Sequence, residues 1–111
     1  ITVLADIAGK VVTTEGEIPA ATGIESNAPN PFNASTLIRF QLSTAGSVRV
    51  RIYNALGQVM RDLVEGEYAA GHYAVSWDGR NRNGAEAASG MYFYVLETEQ
   101  GIWPRRMLLL R

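Results

Sequence analysis

From Thr36 onward, apolar and polar residues alternate with a period of two, the mark of strands that keep one face in a core and the other in water. In the first such run Ile38, Phe40 and Leu42 point one way and Leu37, Arg39 and Gln41 the other. Ala45-Gly46 supplies a turn, after which Val48, Val50 and Ile52 point inward while Arg49 and Arg51 face water, within reach of Asp or Glu on a neighbouring strand. Tyr53 to Gly57 closes that strand, with Gly57 suited to a reversal that needs positive φ. Gln58 to Val64 reads as a weaker strand, and Glu65-Gly66-Glu67 with Ala69-Ala70-Gly71 as the brackets of a loop. His72 to Trp77 alternates again, sending Tyr73, Val75 and Trp77 to the core side and His72, Ala74 and Ser76 to the other. Trp77 is the predicted centre of the core, because an indole buries the most apolar area. Asp78 to Gly84 is a turn, Asn83-Gly84 its tightest part. Ser89 to Thr98 is the predicted longest strand. Met91, Phe93 and Val95 line one of its faces and Tyr92, Tyr94 and Leu96 the other, so it belongs in the middle of a sheet. Gly101 then turns the chain into a last strand, Ile102 to Leu110.

Ahead of this series stands Asn27-Ala-Pro-Asn-Pro-Phe-Asn33. Pro29 and Pro31 fix φ, remove two donors and push Ala28 and Asn30 towards extended geometry. Phe32, the large apolar side chain of this rigid stretch, is predicted to seat it in the core. Before it, Ile1 to Leu4 and Lys10 to Thr14 are brief β-like runs, and Glu15 to Ser26 has the small-residue, acidic composition of a linker. Residues 1–26 are therefore a linker or the end of an upstream domain, with the two runs as its last strands or as extra edge strands on this one. Residues 27–111 form the domain proper. Six strands from Thr36, short glycine-containing turns and no window of helical period predict an all-β fold, an Ig-like antiparallel β-sandwich of about seven strands, with a small barrel as the alternative.

The 111 residues suffice for one core. A formal net charge of −1 offers no attraction for nucleic acid or an anionic membrane. Nine of the ten basic residues are arginines, favouring planar ion pairs. Without cysteine there are no disulfides, thiolate metal sites or thiol nucleophiles. No apolar run reaches the ~20 residues of a transmembrane helix, and Ile1 to Gly9 lacks the basic start and the length of a signal peptide, so any N-terminal export signal is expected to lie upstream.

Candidate chemistry is sparse. His72 and Ser76 share a strand face but stand ~13 Å apart, too far to share a proton. Glu65/Glu67 and Glu97/Glu99 have a spacing near that of glycosidase carboxylates, yet flank glycines at strand ends where no apolar pocket raises a pKa. Asp78, Asn81 and Asn83 hint at a calcium loop, but an EF-hand register puts Gly79 first and Gly90 twelfth. Asn33-Ala34-Ser35 matches a glycosylation sequon and equally an Asx-type turn. Tyr92, Tyr94 and Trp103 form either an exposed aromatic platform for sugars or buried rings. No catalytic residue, metal or cofactor is expected.

Read together, Pro29-Asn-Pro-Phe-Asn33, Thr36-Leu-Ile-Arg-Phe40, Val50-Arg-Ile-Tyr-Asn-Ala-Leu-Gly57, Ala70-Gly-His-Tyr73, Ser89-Gly-Met-Tyr-Phe-Tyr94 and Arg106-Met-Leu-Leu-Leu-Arg111 resemble the C-terminal sorting domain (type A) of type IX secretion cargo. Val75-Ser-Trp-Asp-Gly79 is similar to the Ig-like domain of the flagellar hook-capping protein, a kindred sandwich. The resemblance covers residues 27–111, with Pro29, Asn30, Pro31, Phe32, Gly57, Gly71, Trp77, Gly90 and Tyr92 as its structural motif. It implies a non-enzymatic handle on an upstream cargo domain, recognised by the type IX machinery and its surface processing protease, in a protein that reaches the surface of a Gram-negative bacterium through the periplasm. Ala34, Ser43 and the terminal arginines depart from that pattern. Arg105, Arg106, Met107, Leu108, Leu109, Leu110 and Arg111, an edge strand open to strand addition, are the expected recognition element. A carbohydrate-binding or adhesion module and a structural Ig-like domain of a surface assembly are the alternatives.

Overall fold

In the computed structural model, which describes residues 11–14 and 16–111, two four-stranded antiparallel sheets stack face to face. Strands β1 (Val11–Thr14), β2 (Gly23–Ile24), β3 (Thr36–Leu42) and β6 (Gly71–Trp77) form sheet A in the order β1-β6-β3-β2. Sheet B contains β4 (Gly46–Asn54), β5 (Val59–Tyr68), β7 (Gly90–Thr98) and β8 (Gly101–Leu109) in the order β5-β4-β7-β8. The chain is thus an all-β, Ig-like sandwich with eight strands among the described residues.

Alternation decides which side chains meet between the sheets. Ile38, Phe40 and Leu42 of β3 and Tyr73, Val75 and Trp77 of β6 face Val50 and Ile52 of β4, Tyr94 and Leu96 of β7, and Met107 and Leu109 of β8. Trp77 is fully buried, with Phe32 and Tyr92 edge-on to it at 5.7 and 5.4 Å between ring centroids. Its Nε1 donates to the Arg80 carbonyl at 2.9 Å, so the indole is buried without orphaning its one donor. On the outer face of sheet B the opposite parity gives an ion-pair ladder, Arg49 with Glu65 at 3.3 Å and Arg51 with Asp62 at 2.6 Å.

Three expectations change. Strand β5 does not stop at Val64. Glu65, Gly66, Glu67 and Tyr68 stay paired with Arg49, Val48, Ser47 and Gly46, so backbone pairing overrides the loop-like composition, and the ten-residue β5 rather than β7 is the longest strand. The linker-like stretch is partly built in: Gly23 and Ile24 pair with Gln41 and Phe40, and Ile24 is buried. Val11–Thr14 pairs with β6 as an edge strand, while Ile1 to Leu4 and Lys10 lie outside the described residues.

The proline segment crosses from one sheet to the other. Ala28 exchanges hydrogen bonds with Leu37 of sheet A (2.8 and 3.0 Å), and four residues later Phe32 bridges in parallel to Leu109 of sheet B. Phe32 N–H donates to the Leu108 carbonyl and Leu110 N–H to the Phe32 carbonyl, at 3.1 and 2.8 Å. Its ring is 3% exposed, so backbone and side chain both tie this strap to the body.

Candidate functional site

The residues considered for catalysis do not converge. His72 Nε2 lies 3.0 Å from the Glu17 carbonyl on the surface, and Ser76 is buried on the outer side of sheet A. Glu65 and Glu97 flank Arg49 from the two neighbouring strands, and with Glu99 they border a shallow hollow of about 250 Å3. The Arg49 guanidinium stands between the two strands that carry them, 3.3 Å from the Glu65 carboxylate, on an open face and not in an apolar cleft. Asp78 Oδ1 accepts from Arg80 N–H and from Arg61, and Asn81 Oδ1 accepts from the N–H groups of Asn83 and Ala85. These oxygens shape the turn. Among the described residues no group of three His, Cys, Asp or Glu is placed to hold a metal ion.

The aromatic platform is not formed. Tyr92 and Tyr94 point into the core, 5% and 0% exposed, because their parity on β7 is that of Leu96. Tyr94 reaches through the sandwich to the strap, where its hydroxyl accepts from Asn27 N–H and donates to the Glu25 carbonyl, both at 2.9 Å. Trp103 is only partly exposed and packs against the core. Desolvation of both phenols raises the pKa of Tyr94 and Tyr73 above the usual tyrosine value.

Strand β8 carries the most informative surface. Met107 and Leu109 are core residues, 1% and 0% exposed. Arg105 and Arg111, on the same parity, turn back on the molecule. Arg105 donates from Nε to the Ile24 carbonyl at 2.9 Å and from Nη1 to Ser26 Oγ at 3.3 Å. Arg111 donates from Nε to the Ala87 carbonyl and from Nη2 to the Gly79 carbonyl, both at 2.7 Å, and its N–H bonds Ser89 Oγ at 2.8 Å. What remains on the outer parity is Arg106, half-buried Leu108 and, just past the strand, Leu110 at 50% exposure.

The edge of β8 is also less open than an end strand suggests. At its C-terminal half the Leu108 N–H donates to Asn30 Oδ1 at 3.0 Å and its carbonyl receives Phe32 N–H. Further back Pro104 has no N–H to offer. The free edge backbone around Arg106 lies beside a groove of about 550 Å3 between strap and strand, bordered by Ser26, Asn30, Phe93, Pro104, Arg105 and Arg106. Sequence reasoning missed that Arg105 and Arg111 clamp the chain to itself from the surface, although both share the parity of Met107 and Leu109.

Of the other motif positions, Gly57 has φ +81° and its N–H closes the turn onto the Asn54 carbonyl at 3.0 Å. Gly71 and Gly90 begin β6 and β7. Pro29 and Pro31 each follow a cis peptide bond.

No helix among the described residues is long and apolar enough to cross a membrane. No curated protein sequence matches the chain. Solved structures share its fold. Dimeric latent PorU from Porphyromonas gingivalis superposes with a TM-score of 0.62 at 19% identity, over 87% of this chain and 10% of PorU. PorZ, an essential surface component of the type IX secretion system of the same organism, gives 0.56 at 20% identity, over 80% of this chain and 12% of PorZ. FlgD from P. aeruginosa gives 0.53 at 19% identity, over 85% of this chain and 77% of that one. The chain thus spans only about a tenth of PorU and PorZ. Residues 26–101 match the family model of the FlgD Ig-like domain, a stretch that takes in the proline segment and β3 to β7, and the chain belongs to that family.

Proposed function

We propose that this chain is a non-catalytic sorting domain, attached to an upstream cargo domain and read by the type IX secretion machinery on the way across the outer membrane of a Gram-negative bacterium. At the surface it is then removed by a processing protease or used for attachment. The observation that carries this reading is the division of labour on β8. Inner-parity residues are tied to the body, and Arg106, Leu108 and Leu110 are presented on a fold whose described residues gather no cluster of metal-binding groups. Such an arrangement suits a rigid handle. The shared fold with domains of PorU and PorZ points the same way.

The test is export of a reporter carrying a Sec signal and fused ahead of this chain, in a host with a type IX system. Deleting residues 106–111 is a poor probe, because it removes Met107 and Leu109 from the core. Leu108→Ser with Leu110→Ser alters the outer parity instead. We expect the wild-type fusion at the cell surface and the double variant folded in the periplasm. Undiminished export of that variant, with circular dichroism confirming its fold, would defeat the proposal.

A second reading has one observation in its favour. Strand β5 is a ten-residue edge with no strand on its outer side among the described residues, which suits self-association in a surface assembly. Concentration-dependent dimerisation lost on Val59→Pro would support it. A sugar-binding module loses its support with the burial of Tyr92 and Tyr94.

A further inference from the structure

The strap and β8 run in the same direction and are pinned together at two places, Ile24 with Arg105 and Phe32 with Leu109. Between those pins the strap advances eight residues while β8 advances four, and the surplus bows away towards Leu37 of sheet A. The bow uncovers the middle of the β8 edge and opens the groove of about 550 Å3. Odd-numbered β8 residues bond to β7, so the backbone N–H and C=O of Arg106 and the C=O of Pro104 turn outward along the groove.

Charge says what belongs there. Six of the nine arginines, Arg49, Arg51, Arg61, Arg80, Arg82 and Arg111, have a carboxylate within ion-pair distance. Arg39, Arg105 and Arg106 have none among the described residues, and the latter two border the groove side by side. Arg105 commits two of its five N–H groups to the strap, leaving the rest of its fork available. Phe93 and Pro104 add an apolar floor beside these cations. An edge with one free donor, two free acceptors and two uncompensated guanidinium groups matches an extended peptide that pairs through its backbone and offers carboxylates on alternate side chains.

We propose that the groove between the strap and β8 binds an extended acidic segment of a partner protein, its backbone pairing with Arg106 and a carboxylate meeting Arg105 and Arg106. If β8 is the face read during secretion, this names the chemistry of what reads it. The binding itself is measured on the purified chain, so its failure and a failure of export are separate results.

The experiment titrates the full chain into two labelled octapeptides, one alternating Val and Glu and one alternating Val and Lys, and follows anisotropy and backbone amide NMR shifts. The Val/Glu peptide is expected to bind at least tenfold more tightly, to weaken as salt rises, and to move the amides of Ser26, Asn30, Arg105 and Arg106. Arg106→Glu is expected to lower affinity at least tenfold, and Arg39→Glu on the other sheet to leave it within twofold. Equal binding of both peptides, no measurable binding, shifts on another face, or indifference to Arg106→Glu would each overturn the proposal. So would binding confined to polygalacturonate or to phosphatidylglycerol vesicles run in parallel.

Discussion

Arg111 stands over Gly79 so closely that a Cβ there would lie 2.7 Å from its Nη2. Gly79 has φ +72°, and its carbonyl accepts the guanidinium that crowds it. Any side chain here would be strained twice, by the left-handed backbone and by the arginine. Gly79→Ala should cost about 1–3 kcal/mol, and Arg111→Ala, which removes two side-chain bonds to backbone carbonyls, about 1–3 kcal/mol. In a double-mutant cycle by urea unfolding the two losses should be less than additive. Full additivity would show that Arg111 does not depend on this seat.

Phe32 joins the strap to Trp77, edge-on at 5.7 Å. Phe32→Ala should cost about 3–5 kcal/mol. In a Trp103→Phe background it should also shift the Trp77 emission to the red as water reaches the indole. A loss below about 1 kcal/mol would mean that the strap is held by its backbone bonds alone.

Tyr94 carries two strap contacts on one hydroxyl. Tyr94→Phe keeps the ring and leaves the Asn27 N–H, in a residue only 4% exposed, without its acceptor. The expected loss is about 1–3 kcal/mol, with faster amide exchange at Asn27. Unchanged exchange there would disprove the link.

Alkaline stability follows from the same phenol and from Tyr73. Burial raises both pKa values above the unfolded one, so the native state holds protons that the unfolded chain releases. The contribution is complete below about pH 10, the ordinary tyrosine value, and is lost as pH climbs through the folded pKa values. Unfolding free energy should therefore fall as pH rises above about 10, and fall less steeply in Tyr94→Phe. A flat or rising profile would contradict the burial.

The Arg51–Asp62 pair is short, at 2.6 Å, but its side chains are 27% and 38% exposed. Asp62→Asn should change stability by no more than about 1 kcal/mol, with the difference shrinking in 1 M salt as the Debye length falls to about 3 Å. A larger, salt-independent loss would indicate that Asp62 orders the irregular pairing between β4 and β5.

Much of the sandwich is legible in the sequence because each of β3, β4 and β6 places its largest apolar residues on one parity. That signal fails where both parities are apolar. On β7 the tyrosines could as well have faced water, and only their packing against Trp77 and the strap decides the matter. It fails again where pairing overrides composition, as in Glu65-Gly66-Glu67, and in β2, whose two residues are too few to show a period. The clamps were hidden for another reason. Arg105 meets Ile24 across 81 positions and Arg111 meets Gly79 across 32, and an arginine looks the same in sequence whether it awaits a partner or closes on its own chain.

The crossing of the strap between sheets also fixes how the domain answers a pull. Phe32 lies parallel to Leu109, so tension drawn between the Gly23 side and the far end of β8 slides the two segments lengthwise past each other. Bonds loaded in that direction give way together rather than peeling one at a time. Tension applied at those two points therefore loads the two Phe32 backbone bonds at once.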